Sequence, residues 1–182
     1  MKRFLAMILI VVPVMLGAQN KSSFELGGGV SFIGKMTKDG DGAYHNAMVL
    51  YSEYRYNVRK DLSLAANYQL MPNWSDTLIG EDGNSYNMLA SKGVTQALNI
   101  LAEYNLFSGS VVSPFFCVGA GPQYNSAKLS DGHNWNKWGF DLHSRAGLEL
   151  FHHLRLTFGY RHCPRIFRAA QPAYYVSAGW AF

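Results

Sequence analysis

Charged side chains of both signs recur at alternate positions along several segments of the sequence. Asp141, His143 and Arg145 are spaced by two, as are Glu53 and Arg55. Carboxylates and guanidinium groups form charge-assisted hydrogen bonds when the backbone gathers them on one face. Five acids and four arginines share this pattern, so we expect a nearly balanced, mutually paired network. Its predicted members are Glu25, Glu53, Arg55, Glu103, Asp141, His143, Arg145, Glu149, Arg155 and Arg161.

A base, a nucleophile and an acid also occur within one short segment. His143, Ser144 and Glu149 are the residue types of a hydrolytic triad. In a strand, however, successive side chains point to opposite faces, so Ser144 lies on the other face from His143 and Glu149. The Ser144 hydroxyl therefore cannot reach the imidazole, and no hydrolase is predicted here.

Metal and disulfide chemistry receive little support. His152 and His153 are adjacent but have no further ligands nearby, and the Asp-Gly sequences lack the spacing of an EF-hand loop. Cys117 lies in one predicted strand and Cys163 just beyond the end of another that is not its neighbour, at a different height, so the two are too far apart for a disulfide. We expect no metal site, no cofactor and no disulfide.

The elements that position these residues are strands. Apolar residues alternate with small, polar or charged residues in eight segments, and period two is typical of a sheet with one apolar face. The alternation is strongest in 140–150 and 154–161 and weakest in 116–121. The eight segments are 24–32, 48–58, 62–70, 97–106, 116–121, 140–150, 154–161 and 174–182. Every charged residue in them falls on the face opposite the apolar one.

Composition agrees with this all-β prediction. The chain has 182 residues, of which 48% are apolar and 15% charged, which excludes a disordered protein and a highly charged nucleic-acid scaffold. Its 18 Gly, 11 Tyr and 11 Phe favour pleated strands and tight turns. We therefore expect one all-β domain and no nucleic-acid partner.

The first residues have the pattern of a secretory signal peptide. Lys2 and Arg3 precede an apolar run, 4–15, and Ala18 provides a small residue at the expected cleavage site. We predict a signal peptide at 1–18 and a β-barrel domain at 19–182.

The connections between the predicted strands alternate in length. Short ones span 57–61, 107–111 and 151–153, and long ones span 34–46, 71–93, 122–138 and 162–173. Short periplasmic turns and longer external loops are typical of outer-membrane barrels, and an even strand count places both termini in the periplasm. Tilted strands of this length rise roughly 20–25 Å, close to the apolar band of such barrels. A soluble lipocalin-like barrel, with its apolar face inward, has the same periodicity, but the terminal aromatic segment and the small residues on the charged face favour the membrane barrel.

The signal peptide, the periodicity and the C-terminal segment Tyr174–Phe182 resemble the small eight-stranded outer-membrane β-barrels of the OmpA/OmpX type. The resemblance spans Ser23–Phe182, and no loop motif matches a particular member. It implies an eight-stranded antiparallel up-and-down transmembrane β-barrel, integral to the bacterial outer membrane and monomeric. It also implies contact with the barrel-assembly machinery, for which Tyr174, Trp180 and Phe182 form the assembly signal.

A second resemblance bears on enzymatic activity. The lipid A 3-O-deacylases are eight-stranded barrels with a lipid-facing His, a Ser two residues later and an acid. His162 lies at a similar place, but Pro164 stands where that family has Ser, and no acid follows His162. The nucleophile and the acid are missing, so we expect no enzyme.

Two predicted external loops carry basic residues beside aromatic ones. Such groups can hold the phosphates of the outer-leaflet glycolipid, lipopolysaccharide, although a solvated basic rim is the plainer alternative. The candidate contacts are Lys128, Lys137, Arg165 and Arg168.

Together these features predict a non-enzymatic outer-membrane barrel with a closed, salt-bridged lumen and long external loops. Its expected role is in envelope structure or surface interaction. The alternatives are a small-solute pore and a lipid A-modifying enzyme of the outer leaflet.

Overall fold

A computed structural model describes residues 22–34, 44–73, 77–79, 85–129, 132, 134–162 and 173–182. They form nine strands. These are β1 (Ser22–Gly34), β2 (Tyr44–Asn57), β3 (Leu62–Asn73), β4 (Thr77–Ile79), β5 (Ser85–Asn105), β6 (Val112–Leu129), β7 (Asn134–Leu150), β8 (Leu154–His162) and β9 (Ala173–Ala181). Within these ranges no helix is long and apolar enough to cross a membrane.

Eight of the strands close into a barrel. Each pairs antiparallel with the next barrel strand along the chain, and β1 pairs with β9 to complete the ring. The remaining strand, β4, pairs only with the start of β5, where Thr77 lies opposite Asn87. The predicted eight-stranded antiparallel up-and-down barrel is confirmed, and the short β4 is an addition that the sequence did not indicate.

Three short connections lie at one end of the barrel, which we call the short-turn end; the opposite end is the long-loop end. They span 58–61, 106–111 and 151–153. The tightest joins β7 to β8, where the His153 N–H donates to the Leu150 carbonyl at 3.1 Å. Phe151 and His152 have φ values of 54° and 64°, so this turn has the left-handed backbone of a tight hairpin without using glycine.

The two faces of the wall differ as the alternation predicts. Apolar side chains such as Ile100 and Phe158 point outward, whereas the charged side chains of the same strands are buried inside. Where the structure describes side chains, the one strand residue with an exposed charged side chain is Lys128, at the long-loop end of β6. This arrangement is the reverse of a lipocalin-like barrel, in which the apolar face lines the interior.

The wall is much taller on one side. β5, β6 and β7 have 21, 18 and 17 residues, whereas β8 and β9 have 9 each. Most of 122–138, predicted as a long loop, is therefore strand, and that prediction was wrong. The weakest predicted strand, 116–121, is part of the 18-residue β6. In 122–138 neither face is consistently apolar, so the alternation that marks a half-buried strand disappears.

Candidate functional site

The barrel interior near the short-turn end is filled by a network of arginines and carboxylates. Arg55 on β2 occupies its centre, because its guanidinium donates to Glu25 and Glu53 at 2.8 Å each and lies 3.3 Å from Glu103. The Glu53 and Arg55 side chains share a face since they are two residues apart on one strand. Each of these four residues is at most 4% exposed.

Two further arginines bridge the same carboxylates from the opposite wall. Arg145 on β7 contacts Glu53 at 2.6 Å and Glu103 at 3.5 Å. Arg155 on β8 contacts Glu103 at 2.8 Å and Glu25 at 3.5 Å. Because each carboxylate contacts at least two arginines, no charge in this layer depends on a single partner. These shared ion pairs hold together side chains from β1, β2, β5, β7 and β8.

A second layer lies nearer the long-loop end. Arg161 donates from Nε to Asp141 at 2.9 Å and contacts the Met71 sulfur at 3.2 Å. Asn99 donates to the same Asp141 oxygen at 2.8 Å. His143 does not join the ionic network, since it is hydrogen-bonded to the Tyr175 hydroxyl at 2.6 Å. The expected network therefore resolves into two ionic layers, with the hydrogen-bonded His143 and Tyr175 beside them.

Glu149 lies at the margin of the first layer. Its carboxylate is 3.8 Å from Arg155 Nε and 4.0 Å from His152, and its side chain is 18% exposed. This acid therefore faces the mouth of the barrel at the short-turn end, whereas the other nine predicted members are enclosed.

Aromatic rings fill the space between the charges, and sequence reasoning missed them. Tyr51 donates to Glu25 at 2.5 Å, and its ring covers Gly27 and Gly179, where any Cβ would overlap it. Phe115 lies 3.8 Å beneath the Arg155 guanidinium, a cation–π contact. The period-two pattern could have found them, because both residues fall on the same face of their strands as the charged residues.

Paired charges fill the barrel interior near the short-turn end. Four buried arginines face buried carboxylates at ion-pair distance. Ser144 points to the outer face, as its alternation requires, and the buried Cys117 thiol contacts Glu103 at 3.6 Å. Among the side chains that the structure describes, no group of three His, Cys, Asp or Glu could hold a metal ion. An eight-stranded barrel has an interior just wide enough for side chains to fill.

The other predicted site residues are distributed as follows. Lys128 is exposed at the long-loop end of β6. The backbone of Lys137 pairs with that of Asn125, whereas its side chain and the residues Arg165 and Arg168 lie outside the described part. His162 ends β8 without a described side chain, and Cys163 and Pro164 also fall outside. The proposed assembly residues Tyr174, Trp180 and Phe182 are 49%, 50% and 70% exposed on the outer surface.

Polar aromatic side chains mark the outer surface near the long-loop end. The Tyr68 hydroxyl donates to Gln96 at 2.8 Å, and the Tyr124 and Trp138 rings lie 5.0 Å apart. Gln96 and Tyr124 are direct cross-strand partners, so these residues form one row across four neighbouring strands. We call Tyr68, Gln96, Tyr124 and Trp138 the upper belt. Below it the outer surface is apolar down to Tyr104.

The fold, the charged interior and the apolar exterior define a small barrel of the outer-membrane type. No protein-family model and no curated protein sequence matches the chain. Among solved structures, it is similar to neisserial surface protein A, with 15% identity over 87% of this chain and 95% of that one and a TM-score of 0.58. It is also similar to the N-terminal β-barrel domain of Pseudomonas aeruginosa OprF, with 14% identity over 89% and 98% of the chains and a TM-score of 0.57.

A third similar structure is Ail, the attachment invasion locus protein of Yersinia pestis, with 11% identity over 89% of this chain and 99% of that one and a TM-score of 0.54. At these identities the likeness concerns the fold. The resemblance to eight-stranded OmpA/OmpX-type barrels is thereby confirmed at the level of fold.

Proposed function

We propose that the protein is an integral barrel of the bacterial outer membrane with a closed lumen and no enzymatic activity. Its role in this proposal is structural or in surface contact. The observation that carries the proposal is the buried network, in which Arg55, Arg145 and Arg155 contact Glu25, Glu53 and Glu103 within 3.5 Å. Side chains held in this way leave no aqueous path through that level of an eight-stranded barrel.

The outer surface supports membrane insertion. On β5, Tyr104 is eight positions from Gln96 in the upper belt, which corresponds to a rise of about 20 Å for a tilted strand. This height is near the apolar band of about 25 Å that outer-membrane barrels present to lipid. Aromatic residues at both borders fit the two membrane interfaces. In this placement, both ends of the described barrel, Ser22 and Phe182, lie on the periplasmic side.

The position of Lys128 supports contact with lipopolysaccharide. This exposed lysine lies four residues beyond Tyr124 of the upper belt, on the same outer face of β6. The distance along a tilted strand corresponds to roughly 10 Å, the depth of a headgroup layer above the apolar band. An ammonium group there can bind the phosphates of the glycolipid. Lys137, Arg165 and Arg168 remain predicted contacts.

One of the similar solved structures supports the proposed role in surface contact. One similar protein carries attachment and invasion in its name, and it has been crystallised with the heparin analogue sucrose octasulfate. Those are properties of Ail. For this chain we propose contacts through the long-loop end, with no partner assigned, and assembly by the barrel-assembly machinery through Tyr174, Trp180 and Phe182.

Planar-bilayer recording tests the closed lumen. The refolded wild-type protein should give no steady conductance, whereas removal of two bridging arginines, Arg145→Ala with Arg155→Ala, should produce conductance steps. Arg59→Ala is the control, because Arg59 pairs with Asp61 on the exposed turn outside the lumen. Steady conductance by the wild-type barrel would contradict the closed-lumen proposal and favour a small-solute pore.

Mass spectrometry of lipid A tests the absence of enzymatic activity. A change in the lipid A mass spectrum on expression of the protein would contradict it.

A further inference from the structure

The mouth of the barrel at the short-turn end encloses a cup of about 340 Å³. Its walls come from the three short turns and the adjoining ends of β1, β2, β5, β6, β7 and β9, and Arg55 of the first ionic layer lies at its floor. The volume is within the range of small-molecule sites. Hydroxyl and amide groups dominate the lining, and they include Ser23, Asn57, Asn105, Ser108 and Ser113. The cup lies at the opposite end from the long loops and takes no part in closing the lumen.

Two side chains that line the cup carry a buried, uncharged polar atom with no hydrogen-bond partner among the described residues. These atoms are the Ser113 hydroxyl oxygen and the Asn105 amide oxygen. Ser113 is 2% exposed and lies directly opposite Glu149 in the β6–β7 register. A buried polar group without a partner costs free energy, so a ligand that supplies the missing hydrogen bonds gains affinity. Rotation about one side-chain bond is enough to reorient the Ser113 hydroxyl.

The charges around the cup argue against an ionic ligand. Arg55 reaches the cup, but its guanidinium is already held by Glu25, Glu53 and Glu103. Lys60 is exposed on one side, and Glu149 lies on the other. A site for phosphate needs several positive groups, and a site for a metal ion needs several negative ones. The cup has neither arrangement. Clustered hydroxyl and amide groups instead match a neutral ligand rich in donors and acceptors.

A flat ring borders the same cup in a fixed orientation. The His153 Nδ1 atom is 2.9 Å from the Ala181 carbonyl oxygen, and its ring stacks on Trp180 at 5.3 Å with an angle of 11°. We propose that the cup is a binding site for a neutral N-acetylated sugar, either free or at the end of a glycan chain. The sugar hydroxyl and acetamido groups satisfy Ser113 and Asn105, and the His153 ring provides a rigid wall.

The test is a titration of the full barrel, refolded in micelles and labelled with ¹⁵N, followed by NMR. The probe is the β-1,4-linked trimer of N-acetylglucosamine, and inorganic phosphate is titrated in parallel. We expect saturable shifts of the Asn105, Gly109 and Ser113 amide signals with the trimer and none with phosphate. Ser113→Ala should weaken trimer binding about fivefold, the loss of one hydrogen bond. Ser126→Ala, on the outer face at the other end of β6, should leave the affinity unchanged.

Three results would overturn the proposal. The first is the absence of cup shifts in the wild-type protein at about 10 mM trimer, which excludes even millimolar affinity. The second is tighter binding of phosphate than of the trimer. The third is equal weakening by Ser113→Ala and Ser126→Ala. The wild-type titration decides the question without any variant, and it is independent of whether the lumen conducts.

Discussion

Arg145 joins opposite walls of the barrel interior. It contacts Glu53 on β2 and Glu103 on β5, and its guanidinium lies 6.0 Å from the Phe115 ring centre. The residue is 4% exposed, so its charge is compensated almost entirely by these side chains. Removing one partner of a buried ion pair leaves the other charge unpaired, which usually costs more than the intact pair contributes.

Arg145→Leu should therefore lower the free energy of unfolding by about 3 kcal/mol, because Glu53 and Glu103 lose a shared partner in a water-poor interior. The urea midpoint of the refolded barrel in micelles measures the effect. Arg59→Leu is the matched control, since the exposed Arg59–Asp61 pair contributes at most about 1 kcal/mol. An Arg145→Leu midpoint equal to that of wild type would show that the network does not stabilise the barrel.

For single residues, the sequence predicts well which face of a strand a side chain occupies and poorly which side chain it contacts. The period-two phase was sufficient to place Asp141, Arg145 and Arg155 on one face. It could not pair Arg145 with Glu53, because these residues are 92 positions apart and meet only after the barrel closes. The shared phase groups His143 with Asp141 in the predicted ionic network, yet the partner of His143 in the structure is Tyr175 on β9.

Among the strands, β8 and β9 show how the narrow interior is packed. Tyr175 on β9 covers Gly159 on β8, its direct partner in the register, and an added Cβ at Gly159 would overlap the tyrosine ring. The ring is 1% exposed and hydrogen-bonded to His143, so it has little freedom to move away. Large and small side chains thus alternate across neighbouring strands to fill the lumen.

Gly159→Ala should cost roughly 1–3 kcal/mol, the usual penalty for overpacking a filled interior, because Tyr175 must shift and weaken its bond to His143. Gly139→Ala on β7 provides the control, since a Cβ there meets nothing within 4 Å and its effect should stay within about 0.5 kcal/mol. The measurement is again the urea midpoint in micelles. Similar midpoints for the two variants would refute the ring-over-glycine packing.

The strand ends were harder to predict than the strands. β6 carries Pro114 and Pro122, residues that argue against a strand interior, and its last residues lack an apolar face. The β7–β8 turn has Phe151 and His152 where glycine or asparagine would normally indicate a hairpin, yet the alternation on both sides of it predicts this turn at 151–153. The two prolines and the lost alternation hide the end of β6 from pattern reasoning, because the barrel supplies the hydrogen bonds that local propensity does not favour.

The whole molecule is asymmetric along its axis. The short-turn end has three tight connections and the polar cup, whereas β5, β6 and β7 extend past the upper belt at the other end. On β6 and β7 the outer face is largely apolar below the upper belt and polar beyond it, at Ser126, Lys128, Asn134 and Asn136. A bilayer fits the apolar section alone, so the tall wall must project from one surface of the membrane. In the orientation that we propose, that surface is the cell exterior.

Epitope insertion tests this orientation. Gly109 at the short-turn end and Gly132 at the long-loop end have φ values of 90° and 88°, and each has open space where a side chain would begin. Both sites should accept a short tag because exposed turn tips tolerate insertion. A tag at Gly132 should bind antibody on intact cells, whereas a tag at Gly109 should become accessible only after the outer membrane is permeabilised. The reverse pattern of antibody binding would place the short-turn end outside the cell. Recovery of both tagged proteins in the soluble periplasmic fraction would contradict membrane insertion itself.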